Sequence, residues 1–179
     1  MIISILKYIF LLFLNIIANL IGIIFNPFVV LFANRGGWLP NWLWWFQTPD
    51  NSLNGDIGWR TEHFLWLRNG SYLKRVLWLY RNNVHGFSTN ILGFTMESGL
   101  RYFVSGREYV ANRPLYEGIV FRKIVTAQGS VYFQWYWVKA WSKTRCIRVN
   151  IGWKLWSPHI GKKAQFVFSP ALFMGYSHD

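Results

Sequence analysis

The sequence predicts an α+β protein in which an N-terminal hydrophobic membrane helix and short amphipathic helices precede a small antiparallel β-meander. No charged residue occurs from Tyr8 to Asn34, apolar residues after Trp59 recur with helical spacing, and residues after Ile119 alternate with a period of two. We expect three parts: a membrane anchor helix over 1–34, a Trp-rich interfacial segment and turn loop over 35–58, and a basic α+β domain over 59–179.

The uncharged N-terminal run is long enough to cross a membrane, since a helix needs about 20 apolar residues for this. It is longer than the apolar core of a secretory signal peptide, about 7–15 residues, and it has a poor cleavage site near Ala33. We therefore expect an uncleaved anchor. Pro27 lacks a backbone donor and disfavours helix at Asn26, so we expect the helix to end near Phe25, followed by a kink or re-entrant bend.

Small and amide residues form one stripe on this helix, at Asn15, Asn19, Gly22 and Asn26. Such residues favour close helix contact and interhelical hydrogen bonds in lipid. One interpretation is self-association or packing against a partner membrane protein. The other is packing against the following segment of the same chain.

A tryptophan segment, Trp38–Phe46, follows the apolar run and contains Trp38, Trp42, Trp44 and Trp45, four of the twelve tryptophans. Tryptophan prefers the headgroup level of a membrane, where its ring is buried and its N–H stays hydrated. The position of the segment favours a membrane interface over a cluster of core tryptophans.

The following loop carries alternating oxygen ligands that resemble the start of a calcium loop, at Asp50, Ser52, Asn54 and Asp56. The bidentate Glu that such a loop needs at its end is absent, because Glu62 comes one residue late. Turn formation and a helix N-cap at Asp56 are the simpler interpretation.

Two short helices are predicted, over Trp59–Arg68 and Ser71–Arg81. In the second, Leu73, Val76, Leu77 and Tyr80 form an apolar stripe, and Lys74, Arg75 and Arg81 lie off it. A basic helix that carries tryptophan is typical of a membrane surface. A core-facing helix with a solvated basic face is the alternative.

The C-terminal half predicts a loop over Val84–Phe94, a short strand at Leu100–Val104, and an antiparallel meander of three or four strands with one apolar face. The alternating stretches end with strands in Arg145–Trp156 and Ala164–Phe168, separated by a turn at Pro158–Gly161. In the first stretch, one alternating set is Ile119, Phe121, Lys123 and Val125, and the other is Val120, Arg122 and Ile124. In the second, Val131, Phe133, Trp135 and Trp137 alternate with Tyr132, Gln134 and Tyr136, and in the third Ile147, Val149, Ile151, Trp153 and Leu155 face one way.

The formal net charge is +12, and no acidic residue occurs from Gly118 to His178. The basic residues in this block that we assign to an anionic partner are Arg122, Lys123, Lys139, Arg145, Arg148 and Lys154. Anionic lipid headgroups are the first candidate. Single-stranded nucleic acid stacked on Tyr132, Trp135 and Tyr136 is the second, although no RNP-type, KH or zinc-finger signature supports it. A solvated basic face is the third interpretation.

Motifs for nucleotide binding and for a serine nucleophile are absent, and no cofactor is expected. Cys146, the only cysteine, has no identifiable His partner, so we interpret it as a structural thiol. We therefore expect a non-enzymatic protein. An interfacial lipid- or cell-wall-modifying enzyme that uses the acidic loop is an alternative.

The stretch Gly37–Pro40, with Trp45–Asn51 and Gly55–Asp56, resembles a motif in uncharacterised small membrane-associated proteins of tailed bacteriophages. Those proteins also begin with an apolar segment and end with a strand like Gly152–Lys154. The resemblance implies no activity, but it implies a phage protein that acts at the host inner membrane. We expect a membrane-anchored accessory protein on the cytoplasmic side, where the leaflet lipids are anionic and its basic residues would be attracted.

Overall fold

The computed structural model describes residues 2–106, 117–155 and 160–175, with 172–175 described by their backbone. The chain packs as two compact units, and the predicted α+β class is confirmed. The sheet unit contains Met1–Phe10 and Gly93–Asp179, and the helical unit contains Leu11–Leu92. The predicted divisions at residues 34 and 58 follow composition and stay a prediction.

The first helix, α1, covers Ile2–Val29 and continues as a 3₁₀ turn over Val30–Phe32. Its first turns belong to the sheet unit, and the remainder belongs to the helical unit. The predicted helix end near Phe25 is therefore wrong, since the helix passes through Pro27.

The helical unit continues with short elements: a 3₁₀ helix over Asn41–Phe46, α2 over Ile57–Glu62, α3 over Tyr72–Arg81 and α4 over His85–Asn90. Its core is built from α1, the tryptophan segment and α3, with Phe46, Trp59, Trp78 and Val84 among the buried residues.

The predicted first residues of the two short helices agree with the structure better than the predicted last residues. Asp56 caps α2, because its Oδ1 accepts from the backbone N–H of Trp59 at 2.7 Å. This helix ends at Glu62 and not at Arg68, since His63 is extended and Phe64 has a φ of 48°. The second predicted helix is confirmed as α3.

The predicted loop over Val84–Phe94 is wrong in part, because it contains α4. Val84 precedes this helix in the left-handed region, with a φ of 43°, and its side chain is fully buried. This backbone is strained for a β-branched residue, so the surrounding packing must hold it. A rule based on local composition cannot anticipate that.

Among the described residues, five antiparallel strands form the main sheet, in the order β2-β3-β4-β5-β7, and the first of them corresponds to the short strand predicted at Leu100–Val104. They are β2 (Arg101–Gly106), β3 (Gly118–Val125), β4 (Val131–Ala140), β5 (Arg145–Trp153) and β7 (Phe166–Gly175). A separate two-stranded pair joins β1 (Phe94–Thr95) to β6 (Lys163–Ala164). Trp156 lies outside the described residues, as do Pro158 and His159 of the predicted turn, whereas Ile160 and Gly161 form a turn.

Burial does not follow one alternating set across the whole sheet, because Trp153 and Leu155 of the expected apolar face are fully buried, whereas Trp135 and Trp137 of that face are not. Along β3 the buried positions are Val120, Arg122 and Ile124, whereas the intervening residues are half-buried or exposed. The fully buried residues of β4 and β5 on the same face include Gln134, Tyr136, Cys146 and Asn150. The expected apolar positions, such as Trp135 and Trp137, are only half-buried.

Candidate functional site

The outer face of α1 exposes large apolar side chains along its whole length, which is the opposite of a core helix. Only 22% of its most apolar window is buried. Seventeen large apolar side chains are exposed from the first turn to the 3₁₀ extension: Ile2, Ile3, Ile5, Leu6, Ile9, Phe10, Phe13, Ile16, Ile17, Leu20, Ile21, Ile23, Ile24, Phe25, Phe28, Leu31 and Phe32. The helix is long and apolar enough to cross a membrane.

The buried positions of α1 are spaced by three, four or seven residues and form one stripe. They are Ser4, Tyr8, Asn15, Ala18, Gly22, Asn26 and Val29. Small and polar residues thus face protein, and large apolar residues face outward. A surface helix of a soluble protein has the reverse arrangement.

The amide stripe on α1 packs against Asn83 of the same chain. The Asn83 Nδ2 donates to the backbone oxygen of Asn19 at 2.8 Å and to its Oδ1 at 3.0 Å, and Asn26 Nδ2 donates to Asn83 Oδ1 at 3.0 Å. Gly22 makes room for this side chain, because a Cβ at Gly22 would lie 2.1 Å from Asn83 Oδ1. The interpretation as packing within the chain is confirmed, and self-association through Asn15 and its neighbours stays a prediction.

Two tyrosines of α3 explain how α1 passes Pro27. In a regular helix the backbone N–H of residue 27 would donate to the oxygen of Ile23, and proline has no such N–H. The hydroxyl of Tyr80 donates to this oxygen at 3.1 Å. The hydroxyl of Tyr72 donates to the oxygen of Pro27 at 2.9 Å, near the end of the helix where carbonyl groups lack helical partners.

The tryptophan segment turns three of its four indoles outward. Trp42 is 63% exposed and its ring lies 5.3 Å from Phe32, while Trp38 and Trp44 are exposed by about half. Leu43 and Phe46 turn inward and hold the segment to the core. Exposed indoles next to an apolar helix face are consistent with the interfacial prediction.

A groove with a volume of about 380 Å³ lies between α1, the tryptophan segment and α4. Gly86 lets the α4 backbone approach closely, since a Cβ there would lie 2.5 Å from the oxygen of Trp44. The lining is entirely apolar: Leu14, Ile17, Ala18, Ile21, Trp44, Trp45, Phe87 and Ile91. Because Ile17 and Ile21 also belong to the outer face of α1, the groove opens onto that face.

The three cations predicted for the membrane interface have different environments. Lys74 is 2% exposed, and its Nζ has no hydrogen-bond partner among the described residues. Arg81 is exposed and lies over the rings of Trp59 and Trp78, at 5.5 and 5.7 Å. Only Arg81 is thus placed as a surface cation.

The third cation, Arg75, forms hydrogen bonds within the protein and acts as a clamp between two segments of the chain. Its Nε donates to Asn54 Oδ1 at 2.9 Å, and its two terminal nitrogens donate to the backbone oxygens of Asn34, at 3.4 Å, and Arg35, at 3.0 Å. The side chain therefore ties the end of the anchor segment to the acidic loop. The sequence pattern places Arg75 off the apolar stripe but does not reveal these partners.

The oxygen atoms of the calcium-like loop have structural partners. Asn54 Oδ1 accepts from Arg75, Asp56 caps α2, and Ser52 Oγ accepts from the N–H of Asn54 at 3.3 Å. Asp50 and Glu62 are exposed. Within the described ranges, no three His, Cys, Asp or Glu side chains form a metal-binding group.

The basic residues of the sheet are also dispersed. Arg122 is 1% exposed, and its guanidinium donates to Gln134 Oε1 at 3.3 Å. Gln134 Nε2 in turn donates to Asn150 Oδ1 at 2.9 Å, and Gln134 Oε1 also accepts from the N–H of Leu155. Arg122 therefore belongs to a buried polar network and does not lie at the surface.

The other predicted anion-binding residues are more accessible. Lys139 forms an ion pair with Glu117 at 2.9 Å, and Lys123 lies 4.7 Å above the ring of Phe103. Arg145 is exposed, and Arg148 and Lys154 are half-buried. These positions do not form one continuous basic face.

The aromatic platform proposed for nucleic acid is not assembled from the residues predicted for it. Trp135 and Tyr136 are neighbours in β4, so their side chains point to opposite faces of the sheet. Tyr136 is buried, and Trp135 stacks instead near Trp137, with ring centres 6.4 Å apart.

Cys146 is fully buried, and this burial raises the pKa of its thiol more than the nearby Arg148 lowers it. The neutral thiol is therefore favoured at neutral pH. This environment agrees with a structural role and is unsuitable for an activated nucleophile.

A family model described as a family of unknown function, DUF7338, matches residues 1–178. The chain belongs to the DUF7338 family. No curated protein and no solved structure matches this DUF7338 protein. The family description assigns no activity, and the resemblance to phage proteins stays a prediction.

Proposed function

We propose that this DUF7338 protein is a non-enzymatic, membrane-bound accessory protein. It binds a lipid bilayer through the outer face of α1 and the tryptophan segment, and its sheet unit is available to a protein partner. The observation that carries the proposal is the unbroken row of exposed Ile, Leu and Phe side chains on α1.

Exposure of this face to water is energetically unfavourable. Full burial of one Ile, Leu or Phe side chain stabilises a protein by roughly 1.5–3 kcal/mol, and about half of that remains to be gained at each exposed position. Soluble monomers rarely expose contiguous apolar patches above a few hundred Å². A bilayer covers such a face without requiring hydrogen bonds from it.

Two further features support a bilayer as the cover. Exposed indoles at Trp38, Trp42 and Trp44 suit the headgroup level. The apolar groove opens onto the same face and suits hydrocarbon, because apolar atoms make up nearly all of its lining. The net charge of +12 favours anionic headgroups.

The test is cell fractionation of the full chain with a small C-terminal tag. We expect the protein in the membrane pellet after high salt and carbonate, and its release by detergent. The double variant Phe13→Ser/Leu20→Ser places hydroxyls on the outer face of α1 and should shift protein into the soluble fraction. The control Ile119→Ser/Ile160→Ser changes two equally exposed apolar residues of the sheet unit and should not.

Release of the wild-type protein by salt alone would contradict the proposal, because an apolar contact with hydrocarbon is not screened by ions. Equal behaviour of the two double variants would also contradict it. The phage origin, the host inner membrane and the cytoplasmic side remain part of the proposal. No observation favours the nucleic-acid or enzyme alternatives over it.

A further inference from the structure

We propose that α1 lies in the plane of one leaflet and does not cross the membrane, so that the two chain ends stay on the same side. The occupant of its outer face is then the headgroup and upper acyl region of a single leaflet. This inference rests on the proposed function, since it describes how the same face meets the bilayer.

The first argument is the docking of the helix start into the sheet unit. The Tyr8 hydroxyl donates to the backbone oxygen of Val167 at 3.1 Å, and its ring stacks on Phe166 with centres 4.9 Å apart. Phe133 and Trp153 pack around the same ring at 5.4 and 5.8 Å. Tyr8 is thus part of the core that the later strands build.

A single crossing is incompatible with that contact. If α1 crossed the bilayer, Tyr8 and every residue after Phe32 would lie on opposite sides. The strands that hold Tyr8 could return only through a second crossing. No uncharged run after Arg35 reaches the roughly 20 residues that a second helix needs, and the described residues contain no other candidate span.

The second argument comes from the helical unit alone. In a crossing helix, Asn19 and Ile23 would lie within the hydrocarbon, and so would their partners Asn83 and Tyr80 on or beside α3. That would draw a helix with an exposed Arg81 toward the membrane interior, where a charge is costly. An in-plane α1 keeps these hydrogen bonds and leaves α3 outside.

The third argument is the distribution of faces. Within the helical unit, the buried stripe of α1 extends from Asn15 to Val29, and the exposed apolar face extends from Phe13 to Phe32. The helix has 28 residues and is about 42 Å long, whereas the hydrocarbon core is about 30 Å thick. An interfacial helix needs one apolar side along its length, and many such helices have about 20–30 residues. Here protein takes the place of the usual polar face.

The test measures depth along the helix in the full-length protein. In a Cys146→Ala background, single variants Ile3→Cys, Phe13→Cys, Leu20→Cys and Leu31→Cys carry a nitroxide, and the protein is reconstituted in vesicles. Relaxation by oxygen and by a water-soluble nickel complex gives the depth of each label. The variant Gln128→Cys, labelled in the same way, is the aqueous control, because Gln128 lies in an exposed turn.

We expect all four labels at one shallow depth, about 5–10 Å into the headgroup and acyl boundary. A profile that is shallow at Ile3 and Leu31 but reaches about 15 Å near Phe13 and Leu20 would overturn the in-plane helix and leave the membrane-bound function intact. Four labels as accessible to nickel as the aqueous control would overturn both proposals.

A second measurement, protease protection of the two chain ends, tests independently whether they lie on the same side of the membrane. Small epitope tags before Met1 and after Asp179 are digested with protease in sealed vesicles. We expect the two tags to be cut together or protected together. Cleavage of one tag with full protection of the other would overturn the in-plane arrangement.

Discussion

At the scale of single residues, side chains distant in sequence donate hydrogen bonds to backbone oxygens of α1 that lack a helical partner. Tyr80 supplies the donor that Pro27 removes, and Tyr72 donates to a carbonyl group near the helix end. Pro27 on its own predicts a helix end or a kink. The observed helix continues because a hydroxyl from another element satisfies the orphan oxygen.

The first prediction is a coupling between Tyr80 and Pro27. Tyr80→Phe should lower the free energy of unfolding by about 0.5–1.5 kcal/mol, because the oxygen of Ile23 loses its donor. In a Pro27→Ala background the helix regains its own N–H, so the same change should cost much less. Denaturant unfolding of the four proteins in detergent gives the coupling energy. Equal costs in both backgrounds would contradict this account.

Arg75 shows that a basic residue in an amphipathic helix can have an internal role. Its planar guanidinium meets three acceptors, one of them Asn54 Oδ1. A lysine ammonium on a flexible stem cannot reproduce that geometry.

The second prediction separates this role from lipid binding. Arg75→Lys keeps the charge and should still lower the free energy of unfolding by about 1–3 kcal/mol. Arg68→Lys is the matched control and should change it by less than about 0.5 kcal/mol, because Arg68 is exposed. Thermal unfolding in detergent measures both, and equal melting temperatures for the two variants would show that the clamp does not matter.

At the scale of elements, α1 and α3 meet where Gly22 admits Asn83. In an isolated helix Gly→Ala is favourable by about 1 kcal/mol, since glycine has high backbone entropy. Here the added methyl group would occupy the position of the Asn83 side chain.

The third prediction is therefore that the Gly→Ala change, which stabilises an isolated helix, destabilises this protein at position 22. Gly22→Ala should destabilise the protein by about 1–3 kcal/mol, because three hydrogen bonds of Asn83 are displaced. Gly22→Ala combined with Asn83→Ala should recover part of that loss. A Gly22→Ala protein with a higher melting temperature than wild type would contradict the contact.

One face of the sheet buries Arg122, Gln134 and Asn150 among apolar residues, whereas Trp135 and Trp137 on the other face are half-buried. Alternation alone shows which residues share a face. It cannot show how deeply each position is buried: on one face Trp153 is fully buried, whereas Trp135 and Trp137 are half-buried. Arg122, Gln134 and Asn150 are tolerated inside because they hydrogen-bond to one another.

The fourth prediction tests this network. Gln134→Met keeps the size of the side chain but removes the partners of Arg122 and Asn150, so unfolding should become easier by about 2–4 kcal/mol. Gln128→Met, in an exposed turn, should be nearly neutral. Similar denaturation midpoints for both variants would mean that the network contributes little.

At the scale of the whole molecule, the formal charge of +12 overstates the charge that can meet lipid. Lys74 and Arg122 are buried, Arg75 is engaged by backbone oxygens, and Lys139 pairs with Glu117. Apolar contact therefore dominates the expected membrane binding, and electrostatic attraction has a smaller part.

The fifth prediction uses Arg81, the exposed cation of α3. Arg81→Gln should weaken binding to vesicles that contain anionic lipid by roughly fivefold, since one surface cation contributes about 1 kcal/mol. Binding to neutral vesicles should be unchanged. Vesicle flotation at low and high salt measures both. An equal loss on neutral vesicles would indicate a packing role for Arg81 against Trp59 and Trp78.

The sequence by itself determined the length and apolar character of α1, the position of the tryptophan segment, the start of α3 and the Asp56 cap. These features depend on local periodicity and on side chains within a few residues of the backbone that they satisfy. Only the tertiary structure decided that α1 passes Pro27, that Lys74 and Arg122 are buried, and that Asn83 fills the space at Gly22. Each of these outcomes depends on contacts between residues distant in sequence, which a local pattern does not contain.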